Sequence, residues 1–181
     1  MKARLTGDRV IKSRLQKTLD NCNKLLKDDQ LIKLISETAD LITDAVKSGN
    51  KLMICGNGGS AADAQHIAGE FVCRFYVDRK PMPAIALSTD TSILTSISND
   101  YSYDDIFSRQ VMAIGKSGDV LLGISTSGSS VNVLKAFKVA KELNIKALLF
   151  TGNVEREIAR FSDIVIKAPS NDTPRICCFA H

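Results

Sequence analysis

Six consecutive residues, Ser125-Thr-Ser-Gly-Ser-Ser130, place five hydroxyls and one glycine directly before a helix-forming run, VNVLKAFKVAKEL. Hydroxyls and backbone N–H groups gathered at a helix N-terminus bind phosphate without a basic side chain. Gly128 lets the backbone turn sharply and approach an anion. The plainer alternative is a serine-rich turn in which Ser130 only caps the helix. Two more loops of similar make-up favour the ligand reading: Gly56-Asn-Gly-Gly-Ser60 and Ser88-Thr-Asp-Thr-Ser92. The first is neither a GxxxxGK[ST] phosphate loop nor a GxGxxG dinucleotide loop. It better suits a polyol, with Asn57 supplying an amide and Gly58 and Gly59 close backbone approach.

His66 and Glu70 follow on the next helical run, AADAQHIAGEF. At i and i+4 they share a helix face. An imidazole and a carboxylate so placed could hold a divalent metal such as zinc, supply a catalytic base, or simply pair at the surface. Asn99 and Asp100 close the segment SILTSISND. They could bind sugar hydroxyls or form a turn before Tyr101. Arg74 and Arg79 could meet a phosphate, although exposed arginines usually do nothing specific.

These residues need a frame. Apolar runs at 51–55, 83–87, 119–124, 145–150 and 163–166 read as strands, and the three candidate loops fall at strand ends. Helical patterns follow the first and the third of them. Strands alternating with helices argue for an open α/β parallel sheet, and such sheets bind ligands at the carboxyl ends of their strands. Before the first strand, residues 8–27 and 30–48 carry apolar residues at helical spacing. They predict two amphipathic helices that cover a sheet face or pack on a second subunit.

The chain has 181 residues, which points to a single domain, 1–181, with N-terminal helices over 1–50 and a core over 51–168. Its 24 basic and 20 acidic residues are interspersed, so no direct nucleic-acid partner is expected. No apolar run is long enough for a membrane span, and no export signal is evident at the N-terminus. Five cysteines (Cys22, Cys55, Cys73, Cys177 and Cys178) without a CxxC pair suit a reduced, cytoplasmic setting. Cys55, inside an apolar strand, reads as a buried thiol.

Three segments, GNGGSAADAQHIAGEF, PAIALSTDTSILTSISND and GDVLLGISTSGSSVNVLKA, in this order and spacing closely resemble the sedoheptulose 7-phosphate (phosphoheptose) isomerases of the sugar isomerase, or SIS, domain superfamily. The resemblance runs from about Lys51 to Ile166. It implies a flavodoxin-like fold, a homotetramer with sites at subunit interfaces, and often a bound zinc. It implies isomerisation of D-sedoheptulose 7-phosphate to D-glycero-D-manno-heptose 7-phosphate, the first step toward activated heptose for lipopolysaccharide core or capsule. By motif position, Asn57, Gly58 and Gly59 match the substrate loop and Asn99 and Asp100 the sugar-contacting pair. Ser125, Thr126, Ser127 and Ser130 match the phosphate loop. Glu70 matches the catalytic base, and His66 with Glu70 match two metal ligands.

One segment departs from the family pattern. After Thr-x-Arg-Ile the family continues with Gln-Glu-x-His on a long final helix, whose Gln contacts substrate and metal and whose later His is catalytic acid and last ligand. Here Thr173-Pro-Arg-Ile176 is followed by Cys177-Cys-Phe-Ala-His181. Cys177 stands at the Gln position, and the final helix is expected to be missing. Cys177 or His181 could in principle replace a lost zinc ligand. A second expectation follows: a non-catalytic homologue that binds a sugar phosphate or associates with the replication initiator DnaA.

Overall fold

The computed structural model of the chain describes residues 7–153 and 156–177, the side chain of Cys177 excepted. The expectation that Cys177 or His181 replaces a zinc ligand falls on that side chain and on a residue outside the described ones.

Two helices come first. α1 spans Gly7–Leu26 and α2 spans Asp29–Lys47, within a residue of the expected bounds. The break between them is set by Asp28, whose carboxylate accepts from Leu31 N at 2.9 Å and starts α2 as an N-cap. Five strands follow: β1 Leu52–Gly56, β2 Ala84–Ala86, β3 Val120–Ser125, β4 Lys146–Thr151 and β5 Ile164–Lys167. All pairings are parallel and the order is β2-β1-β3-β4-β5. This is the flavodoxin-like order, in which the chain winds to opposite sides of β1 and β3. β2 is shorter than expected: Pro83 has no N–H to donate, and only its carbonyl joins β1, accepting from Leu52 N at 3.0 Å.

The remaining helices are α3 Gly59–Val72, α4 Thr91–Asp100, α5 Ile106–Ile114, α6 Val131–Glu142 and the short α7 Thr173–Cys177. Neither α4 nor α5 was evident from the sequence pattern. α4 is SILTSISND with one residue before it, rich in β-branched and hydroxyl side chains of modest helix propensity. Tertiary context makes it helical. Asp90 caps it through Ile93 N, the Thr95 hydroxyl returns to Thr91 O, and Ile97 is buried.

The core divides into two layers because side chains alternate across each strand. Met53, Cys55, Leu121, Ala147 and Leu149 face Phe107 and Val111 of α5 and Val133, Ala136, Phe137 and Ala140 of α6. Leu52, Ile54, Ala86, Val120, Leu122, Ile124 and Leu148 face Ala64 and Ala68 of α3, with Leu41, Ile42 and Ala45 of α2 at the margin. α2 thus covers the sheet, as one of the two expectations held. α1 has no buried residue and leaves Ile11, Leu15 and Leu19 exposed. The arrangement is pinned far from the ligand loops by Asp119, whose fully buried carboxylate accepts from Lys51 N at 3.0 Å, Lys116 N at 2.8 Å and the Lys51 ammonium.

Candidate functional site

In an open parallel sheet, the crevice lies where successive connections diverge to opposite faces. Here that point is between β1 and β3, which end side by side with Gly56 paired to Ile124. Gly56 is required there: a Cβ would lie 2.7 Å from Ser60 Cβ and 3.0 Å from Ile124 O. The β1–α3 loop then turns through Gly58 at φ +57°, a conformation that favours glycine.

The hydroxyl-rich loop after β3 is the partner of that turn. Gly128 adopts φ +63°, and its N–H returns to Ser125 O at 3.0 Å, so the sharp turn expected at Gly128 is present. Ser130 occupies the N-cap position of α6, yet its side chain makes no capping bond. Its hydroxyl instead meets Ser125 Oγ at 2.9 Å. Capping therefore does not explain this serine. Ser127 and Ser129 are exposed and their hydroxyls lie 2.9 Å apart. Thr126 O accepts from Gly152 N at 3.2 Å, which ties the loop to the end of β4.

The two loops are joined by side chains. Asn57 and Asn132, in the first turn of α6, exchange two amide hydrogen bonds of 2.9 Å each. Tyr103, on a short 3₁₀ turn between α4 and α5, donates its hydroxyl to Asn57 Oδ1 at 2.9 Å. That turn is held to α6 by the Lys135–Asp105 ion pair at 2.8 Å. Neither Asn132 nor Tyr103 was singled out by sequence reasoning, because nothing local marks a contact between positions 46 or 75 apart. Asn99 and Asp100 sit on the last turn of α4, exposed and bonded to one another at 2.8 Å. Tyr103, rather than this pair, makes the observed link to the glycine loop.

His66 and Glu70 share a face of α3, with Nε2 and Oε1 3.0 Å apart and side chains 58% and 31% exposed. Glu70 lies eleven residues beyond Gly59 at the start of the helix, a rise of about 16 Å. Arg79 holds this end of α3: its guanidinium donates to Glu70 O at 2.8 Å and Phe71 O at 2.9 Å. A cation against carbonyls at a helix C-terminus is favourable on hydrogen-bonding and dipole grounds. Arg79 is thereby engaged with the backbone. Arg74 is exposed.

Zinc is bound by imidazole nitrogen and carboxylate oxygen, so His66 and Glu70 suit it in kind. The described residues supply only this pair of donors. Among the described residues no group of three or more His, Cys, Asp or Glu side chains comes together.

A model of the SIS domain matches residues 17–152. The phosphoheptose isomerase of Aneurinibacillus thermoaerophilus is 51% identical over 166 residues, which cover 92% of this chain and 84% of that protein. This chain belongs to the phosphoheptose isomerases of the SIS domain family. As a member of that family it is an isomerase. Two solved phosphoheptose isomerases share its fold. The structure from Neisseria gonorrhoeae superposes with a TM-score of 0.89 at 37% identity, covering 97% of this chain and 92% of that one. The structure from Francisella tularensis gives 0.91 at 31% identity, covering 97% and 93%. In this SIS domain, the amide and hydroxyl loops lie at the switch point and Glu70 lies at the far end of α3.

Proposed function

We propose that this chain interconverts D-sedoheptulose 7-phosphate and D-glycero-D-manno-heptose 7-phosphate. The observation that carries the reading is the bond of Asn57 to Asn132, in the first turn of the helix that the Ser125–Ser130 loop opens, at the switch point of a chain half identical to a phosphoheptose isomerase. The hydroxyl loop and the N–H groups of α6 would take the phosphate. Asn57, Gly58, Gly59, Asn99 and Asp100 would meet the polyol. Glu70 would remove a proton from C1 of the ketose, giving an enediolate, and return it to C2; the hydroxyl proton passes from O1 to O2. His66 and Glu70 would hold zinc if it binds. It would polarise the carbonyl as a Lewis acid.

The geometry also favours an oligomer, read as a homotetramer with shared sites. Glu70 is about 16 Å along α3 from its own glycine loop, a long reach for a single sugar phosphate. The exposed apolar residues of α1 provide a surface for a second copy. The product suits activated-heptose synthesis for lipopolysaccharide or capsule in the cytoplasm. No helix among the described residues is long and apolar enough to cross a membrane.

Purified protein should convert sedoheptulose 7-phosphate. Glu70→Gln should lower kcat by about 10³-fold, the scale of a lost general base, while calorimetry still shows binding. Mixing Glu70→Gln with Asn57→Ala protein should restore part of the activity if subunits share sites. Binding without turnover by the unmodified chain would replace this reading with the sugar-phosphate-binding one.

A further inference from the structure

We infer that Asn132 and Tyr103 are positioning residues that fix which way the Asn57 amide faces, and so which ligand oxygen it can recognise; this rests on the reading above. Asparagine presents a carbonyl oxygen on one side and an NH₂ on the other, and the two are interchangeable in shape. A reciprocal pair of asparagines is therefore ambiguous until something outside the pair breaks the symmetry. Here a backbone N–H does so. Val133 N donates to Asn132 Oδ1 at 2.9 Å, and a backbone N–H can only donate.

The polarity then propagates. With Asn132 Oδ1 fixed toward Val133, the same oxygen accepts from Asn57 Nδ2, and Asn132 Nδ2 donates to Asn57 Oδ1. Asn57 Oδ1 must also be the acceptor for Tyr103, so the Tyr103 hydroxyl is the donor. Asn132 is 3% exposed and seated in the first turn of α6, so a flip would strand buried polar atoms. The outcome at the site is defined. Asn57 has one Nδ2 hydrogen beyond the pair, and the Tyr103 oxygen keeps its lone pairs as acceptors. Asn57 is thus a donor to a ligand oxygen, and Tyr103 an acceptor from a ligand hydroxyl, which is the complement of a polyol.

The same bonds couple two binding loops, since Asn132 belongs to the helix that opens on the phosphate side and Asn57 to the polyol side. Tyr103, a residue 56% exposed, adds a third segment.

Steady-state kinetics with sedoheptulose 7-phosphate tests this. Tyr103→Phe should raise KM about fivefold, the scale of one hydrogen bond, with kcat within about twofold and the melting temperature unchanged. Asn132→Asp keeps the acceptor for Val133 but loses the donor to Asn57, and should raise KM further. The two act through Asn57, so in an Asn57→Ala background Tyr103→Phe should add nothing. Unchanged KM in Tyr103→Phe, or full additivity with Asn57→Ala, would overturn the proposal. A ligand-free measurement keeps this separate from the isomerase reading: in isotope-labelled protein, Tyr103→Phe and Asn132→Asp should each shift the Asn57 side-chain amide resonances. If wild-type protein fails to turn the sugar over while those resonances shift, the isomerase reading fails and the positioning stands. If they do not shift, the positioning fails whatever the activity.

Discussion

Ser130 stands at the N-cap of α6 but places its hydroxyl 2.9 Å from Ser125 Oγ, not on the helix backbone. Asp28 and Asp90 do the opposite: each accepts from a backbone N–H of its helix at 2.9 Å. Sequence alone would treat all three as equivalent caps. Only Ser130 belongs to the hydroxyl loop after β3.

The contrast gives a prediction. Asp28→Ala and Asp90→Ala should each cost about 1 kcal/mol of stability, as lost caps do. Ser130→Ala should cost less than either, yet weaken inorganic phosphate binding several-fold. Chemical denaturation and calorimetry on the three variants separate these outcomes. A Ser130→Ala protein destabilised like the aspartate variants, with phosphate binding intact, would return Ser130 to an ordinary cap.

Arg79 supports the far end of α3, away from the glycine loop. It donates to Glu70 O and Phe71 O, and a third bond goes to Lys80 O at 3.2 Å. Arg79→Ala should therefore loosen the last turn of α3, raise amide exchange around residues 70–73 and lower kcat more than it raises KM. Arg79→Lys, which cannot fork across two carbonyls, should recover only part of kcat. Equal kcat in all three proteins would show that the carboxylate of Glu70 is held by other contacts.

The parallel sheet and the glycine- and hydroxyl-rich loops at its strand ends were legible because apolar strand runs and glycine–hydroxyl clusters are local signals. α4 was not. Its β-branched and hydroxyl residues carry weak helix propensity, and a buried Ile97 and the Asp90 cap decide its state. The His66–Glu70 pairing followed from helical spacing. The Tyr103–Asn57 bond did not, because it depends on how the turn after α4 docks against α6, which is a tertiary outcome. The distance of Glu70 from its own loop was in principle readable from the length of α3, and it agrees with the expectation, carried by the resemblance, of sites shared between subunits.

Asp119 offers a stability test that should leave chemistry alone. Its carboxylate is fully buried at the N-terminal ends of β1 and β3, with two backbone donors and the Lys51 ammonium. Asp119→Ala leaves those donors unmatched and should cost about 3–5 kcal/mol. Asp119→Asn retains an acceptor and should cost less. Because the ligand loops lie at the other ends of these strands, KM of the folded fraction should not change in Asp119→Asn. Urea unfolding measured beside steady-state kinetics checks both halves.

Cys55 gives a pH dependence with a definite sign. Burial raises its thiol pKa from 9.0 to about 12 by desolvating the thiolate. The thiol is neutral in the fold up to high pH, whereas the unfolded chain ionises near 9.0. Native protein thus holds the proton over a window where unfolded protein has released it. The contribution to stability is complete below pH 9 and is lost as pH rises toward 12, by about 2–3 kcal/mol at pH 11. Lysines and tyrosines titrate in the same range, so the useful quantity is a difference. Cys55→Ala should be less stable than wild type at pH 8, because it removes a buried sulfur from the packing against α5 and α6. That gap should narrow or reverse by pH 11, since only wild type carries the thiol penalty. Urea midpoints for both proteins at the two pH values provide the measurement; a gap independent of pH would mean that the thiolate is accommodated within β1.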